Sequence, residues 1–183
     1  MIRSFVRRRS SWLPALAAVG TLALSPALIA TTWVTLSVAQ LTEQSEIVAV
    51  GTIVGKAPIE VAVPWFSDPA GDMIYTRYEM KVERGVKGAA KGDTIEFVSM
   101  GGTVRGRGVE VPGAPHFAVG DKVVGGFFRN GIDRLQPHWG GVNRVVSTRR
   151  GEVVIGETGY TVERNVALEA AVGALVQEAE RRK

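Results

Sequence analysis

Few residues in this sequence are equipped for chemistry. There are two histidines, His116 and His138, and no cysteine. Each histidine stands beside an aromatic residue, Phe117 and Trp139, in a stretch that reads as loop. A metal centre built on them would need carboxylates, with Glu110 and Asp121 within reach along the chain, and the helical spacing His-Glu-x-x-His does not occur. A serine nucleophile would need the strained Gly-x-Ser-x-Gly turn, which is also missing. The run Gly101 to Gly108, GGTVRGRG, has the glycine content of a phosphate cradle. It lacks a Gly-Lys-Ser/Thr and the strand-to-helix passage such a loop requires. Without cysteine, disulfides, thiolate chemistry and cysteine-ligated zinc are excluded. One pair of another kind stands out. Trp65 and Phe66 precede the turn sequence Asp68-Pro69-Ala70-Gly71-Asp72, and large aromatics beside a protruding turn suit the anchoring of a partner. The competing expectation is that they fold over the mouth of the domain and serve packing.

The elements that would position these residues are mostly strands. From Ile74 to Val82 the chain alternates, with Ile74, Thr76, Tyr78, Met80 and Val82 on one side and Arg77, Glu79, Lys81 and Glu83 on the other. A period of two with charge on one face predicts a half-buried antiparallel strand. It ends in a turn at Gly85 to Gly88. Ile47 to Val54 is apolar on both faces, which predicts a central strand with the core on one side and a helix on the other. Gly51 within it predicts a bulge or a close backbone approach. The two strands form a long hairpin, Ile47 to Phe66 returning through Met73 to Arg84, with Trp65 and Phe66 near its tip. Pro58, Pro64 and Pro69 place the distal part at an edge.

Further strands follow at Asp93 to Ser99, Lys122 to Arg129, Ile132 to Trp139, Val142 to Thr148 and Glu152 to Ile155. Asn130-Gly131 reads as a tight hairpin turn. Thr31 to Leu36 has the composition of a short first strand. Ser37 with Gln40 predicts a capping box on a two-turn helix from Val38 to Ser45. Asn165 reads as the cap of a final helix to about Arg182, with Leu168, Val172, Leu175 and Ala179 as its apolar stripe. The fold expected is mainly β: a small OB-like, netrin-like antiparallel barrel of five or six strands with a short N-terminal helix and a C-terminal helix. Closure of the barrel would remove exposed strand edges.

The amino terminus stands apart from this domain. Arg3, Arg7, Arg8 and Arg9 precede an apolar stretch from Leu13 to Ala30 that Pro14 and Pro26 interrupt. A basic head, a short apolar run and small residues predict a secretory signal peptide over 1–30, cleaved after Ala30, with Ala27 and Ala39 as other positions. An uncleaved anchor, the rival reading, calls for about 20 uninterrupted apolar residues. The expected organisation is then a signal peptide at 1–30, a β-barrel domain at 31–160 and a C-terminal helix at 161–183. Residues 1–30 carry four arginines and no acid, so the 22 basic residues fall to 18 without them, equal to the 18 acidic ones. The mature chain is neutral, which argues against nucleic acid as a partner. The location expected is secreted or periplasmic.

Several short motifs together resemble a group of uncharacterised exported bacterial proteins. They are Ser45-Glu46-Ile47-Val48-Ala49-Val50-Gly51-Thr52-Ile53, Tyr75-Thr76-Arg77 through Lys87-Gly88, Gly101-Gly102, and the run from Gly113-Ala114-Pro115 through Phe117 to Gly120-Asp121. The likeness spans roughly Leu36 to Ile155. More distantly, the first strand, long hairpin and Lys-Gly turn look like the netrin-like module of tissue inhibitors of metalloproteinases, an OB-type barrel. That resemblance implies the fold, and a first hairpin that touches a partner. The family's inhibitory Cys-x-Cys has no counterpart in a chain without cysteine. The expected function is therefore a non-catalytic binding module of the envelope or secreted fraction, engaging a protein, with secreted proteases as one class. Trp65 and Phe66 would be its contact residues, and no cofactor is called for. The alternative is a hydrolase or metal-dependent enzyme using His116 and His138.

Overall fold

The computed structural model describes residues 36–63, 72–155 and 166–182. The signal segment, residues 31–35 of the expected first strand, and the pair Trp65 and Phe66 lie outside them. The described residues belong to one compact unit. Its elements are α1 (Val38–Gln44), β1 (Ile47–Val61), β2 (Met73–Lys87), β3 (Thr94–Met100), β4 (Gly102–Val104), β5 (Arg107–Val109), β6 (Lys122–Arg129), β7 (Leu135–Thr148), β8 (Gly151–Ile155), β9 (Val166–Ala167) and α2 (Leu168–Arg181). Among the described residues seven strands form one sheet in the order β3-β2-β1-β6-β7-β8-β9, every pairing antiparallel, and β4 with β5 forms a separate small hairpin.

β1 is the axis of the fold because both of its faces are apolar. Ile47, Ala49 and Ile53 point into one core, with Tyr78, Met80 and Val82 of β2, Ile95 and Phe97 of β3, Val123 and Phe127 of β6, and Val142 of β7. Tyr78 stacks on Phe97 with ring centres 5.3 Å apart, and Phe117 meets Tyr78 edge-on at 5.4 Å. Val48 and Val50 point the other way, into a second core closed by Leu41 of α1 and by Leu168, Ala171, Val172 and Leu175 of α2. Both expectations hold over Ile47–Ile53, but Val54, expected within the covered run, is 48% exposed. Gly51 lies at a register shift against β2, and a Cβ there would sit 2.5 Å from the Lys81 carbonyl oxygen.

α1 carries the expected capping box. The Ser37 hydroxyl accepts from the Gln40 amide and the Gln40 side chain accepts from the Ser37 amide. Two glycines receive the helix on the sheet. Leu41 packs where Gly126 of β6 and Gly141 of β7 leave room, since a Cβ on either would lie within 3 Å of its side chain. Lys87 then closes the far end of α1, its ammonium donating to the carbonyls of Thr42 at 2.7 Å and Ser45 at 2.6 Å. These are carbonyls that a helix end leaves without internal donors. Gly88 follows at φ +70, where a Cβ would strike the Glu46 carbonyl. The Lys-Gly pair thus locks the end of β2 to the start of β1.

Four local expectations need correcting. Among the described residues the sheet is not a closed barrel: β3 pairs there with β2 alone, and over Arg144–Thr148 the second edge of β7 is taken by β8. Between β3 and the start of β7 there is an ion pair, Arg134 to Glu96 at 3.5 Å. Asn130-Gly131 is not a two-residue turn. The Asn130 side chain instead accepts from the amides of Ile132 and Arg134, and the left-handed residue of the wider loop is Asp133 at φ 58. The final helix is capped by Ala167, with no side-chain hydrogen bond, because Val166 and Ala167 pair with β8 and stay extended until Leu168. Asn165 lies outside the described residues. Lastly, His138 is in a strand, not a loop. Between the pairs Phe127↔Pro137 and Gly125↔Val142, four residues of β7, 138–141, face Gly126 alone, and this bulge holds His138.

Candidate functional site

The two histidines occupy different surroundings. His116 is exposed and lines an open cleft of about 400 Å³ with Glu110 and with Gly102, Thr103, Gly108 and Val109 of the β4–β5 hairpin. That hairpin turns tightly at Arg105 and Gly106, with φ 49 and 80, the conformation of a two-residue connection. Arg107 holds it to the sheet, bonding Glu60 at 3.1 Å and the Asp72 carbonyl at 2.7 Å. Asp121, the other acid considered as a ligand, is committed elsewhere. It accepts from the Ala118 amide at 2.8 Å and pairs with Arg144 at 3.2 Å. His138 is 9% exposed, stacked on Phe128 with ring centres 4.6 Å apart and set against α1. Burial holds its pKa below the ordinary histidine value, against which a backbone hydrogen bond to Gln44 works. Among the described residues no three His, Asp or Glu side chains are grouped to hold a metal ion.

A second cleft, of about 480 Å³, lies where α1, the end of β2 and the last turn of α2 meet, with Thr42, Glu43, Val86, Lys87, Ala179 and Arg182 on its walls. Its charges are spent internally. Lys87 serves the α1 carbonyls, and Arg182 pairs with Glu43 at 3.1 Å and with Glu178. The Glu178 carboxyl, bonded by Arg182 and Arg181, is held below the usual carboxylate range. Another charge cluster crosses the sheet, with Lys122 between Glu83 and Glu152, each at 2.8 Å. Hydrogen bonds from Lys122 and Thr52 push the Glu83 pKa down. These clusters bind the protein to itself.

The distal part of the β1–β2 hairpin is different. β6 accompanies β1 only to Thr52, whereas β1 and β2 stay paired to Val61↔Met73. Beyond Thr52 the β1 edge carries Lys56, Pro58 and Glu60, residues that discourage strand addition. The face turned away from the aromatic core presents Ala57, Ile59 and Val61 beside Met73, all part-exposed. At the base of this arm Gly120 donates to the Ile53 carbonyl at 2.8 Å, and their chain neighbours Val119 and Val54 are both exposed. These two are the most exposed large aliphatic side chains among the described residues, at 61% and 48%. Periodicity did not mark Val54 or Val119, because the exposure of Val54 follows from the register shift between Ile53 and Gly55. Compared with known proteins, the chain matches no family model and no curated sequence.

Proposed function

We propose that this chain is an exported, non-catalytic binding module that engages a protein through the distal β1–β2 arm, with Trp65 and Phe66 as anchors at its tip. The observation that carries this reading is the arm itself. It continues past its neighbouring strand β6 with a part-exposed apolar row, Ala57, Ile59 and Val61, and with Val54 and Val119 at its base. Apolar surface of that kind, rimmed by charge, marks interaction sites more often than it marks ordinary surface. Aromatic residues joining it at the tip would supply the anchors that dominate interface energies.

The architecture proposed with it is OB-like, a partly open Greek-key barrel. Five strands, β3-β2-β1-β6-β7, contribute to the aromatic core, and Arg134 links the start of β7 to Glu96 of β3. The strands β8 and β9 continue the sheet beyond it. The netrin-like resemblance assigns the first hairpin to partner contact, and a secreted protease is the class of partner it suggests.

The test is the double variant W65A/F66A. Wild-type mature protein immobilised as bait should retain a defined partner from the culture medium or envelope fraction of the producing cell. The variant should lose it while melting within a few degrees of wild type. If the aromatics pack on the domain instead, each truncation costs about 3–5 kcal/mol. A steep fall in melting temperature would retire the binding tip.

A further inference from the structure

His138 is a buried titratable group that neither the core nor the arm explains. Its ring stacks on Phe128, and its Nε2 is buried with no hydrogen-bond partner among the described residues. The residue belongs to the four-residue bulge of β7. Gly141, at the end of that bulge, lies against both the His138 Cβ and the Leu41 side chain, so the base of the His138 side chain and the buried anchor of α1 meet at one glycine. The C-terminal turn of α1 meets the ring through the backbone of Gln44.

We propose that His138 is a pH-sensitive latch for α1: the neutral ring keeps the helix docked on the Gly126–Gly141 groove, and protonation releases it. A neutral ring bonded to the Gln44 backbone through one nitrogen presents only an unmatched lone pair at Nε2. A protonated ring presents there a charged N–H in an apolar setting with no acceptor, which is far costlier to bury. The charged groups on the surrounding elements already have partners. Glu43 of α1 pairs with Arg182, Glu46 beyond it pairs with Arg129 of β6, Lys87 of β2 donates to α1 carbonyls, and Arg144 of β7 pairs with Asp121. None of the carboxylates among them is free to take the new proton's charge. The sign follows. Because burial lowers the folded pKa, the docked state has its full stability above the ordinary histidine value of about 6.5. That contribution is lost as pH falls from there toward the lower folded value. Since Thr42 and Glu43 form one wall of the 480 Å³ cleft, release of α1 would also open it and free Lys87. This inference is independent of the partner arm.

Hydrogen–deuterium exchange on the full mature chain tests it, at about pH 7.5 and about pH 5, on either side of the ordinary histidine value. The Leu41 amide of α1 and the amide of its C-cap Ser45, bonded to the Ser37 and Leu41 carbonyls, report docking, and the Val82 amide of β2 is the reference. The protection factors of Leu41 and Ser45 should fall about tenfold for each unit by which the ring pKa lies below its free value. Val82 should not follow. H138F, which keeps a stacking ring, should lose this dependence, and H116Q should retain it. An NMR titration of the His138 ring in wild type covers the case in which H138F fails to fold. A ring pKa at or above the ordinary value would overturn the proposal. So would an unchanged pH response in H138F, or a parallel loss of protection at Val82.

Discussion

Replacing Lys87 with methionine isolates what holds α1 to the sheet. Methionine keeps most of the aliphatic stem, so the packing beside Val86 survives while the ammonium is lost. That ammonium lies 2.7 Å from the Thr42 carbonyl and 2.6 Å from the Ser45 carbonyl, with Glu43 at 3.4 Å. Thr42 and Ser45 are 1% and 2% exposed, so water is poorly placed to take over these acceptors. A hydrogen bond from a charged donor contributes about 1.5–3 kcal/mol, and two would give up to about 6 kcal/mol. Ordering a lysine side chain costs about 2 kcal/mol of that. Lys87 is only part-buried, so its ammonium keeps part of its hydration, which lowers the gain further. A net loss of about 2–3 kcal/mol is expected. In a domain of this size each kcal/mol moves the melting temperature by about 2–4 °C, so K87M should melt roughly 5–10 °C below wild type. Reversible thermal unfolding followed by circular dichroism measures this, with a urea midpoint as a second readout. Lys91, exposed on the turn between β2 and β3, is the control, and K91M should stay within about 0.5 kcal/mol of wild type. Equal midpoints for K87M and K91M would refute the assignment of Lys87 as the clamp on α1.

Strand register and export give two further predictions. Met80 is fully buried and Lys81 exposed, so Met80→Asp should unfold the domain at a cost of several kcal/mol, whereas Lys81→Asp should change the urea midpoint only slightly. Equal stability of the two variants would show that the drawn register is wrong. If residues 1–30 are an export signal, material recovered from the producing cell should begin near Thr31 on amino-terminal sequencing, and soluble protein retaining Met1 would count against it.

Much of the architecture was legible because it rests on short-range pattern. The alternation through Ile74–Val82 placed Tyr78 and Met80 in the core, as found at 0% exposure each. The two-faced apolarity of Ile47–Val54 announced one core on each side of β1, which holds as far as Ile53 and fails at the exposed Val54. Ser37 and Gln40 formed their capping box three residues apart. In each case the deciding interaction is local, or depends only on which face of one strand a residue occupies.

The candidate surfaces were much less legible. Two aromatics before a turn could be named from sequence, but the apolar arm of β1 and β2 depends on where β6 stops pairing with β1, at Thr52. The exposure of Val54 depends on a register shift set by the partner strand. Asn130-Gly131 carried the signal of a tight turn, yet the Asn130 side chain bonded the backbone of a longer loop.

The sequence by itself determined the strand periodicities, the helix start at Ser37, the lack of thiol chemistry and the neutrality of residues 31–183. Tertiary structure alone decided the open ladder, the extended backbone of Val166–Ala167, the clamp of Lys87 on carbonyls 42 to 45 residues away, and the burial of His138. The physical reason is the same throughout. Periodicity and capping are properties of neighbours along the chain. A hydrogen-bond partner, a desolvated ring or a free edge depends on which distant segment arrives beside it, and no local pattern specifies that.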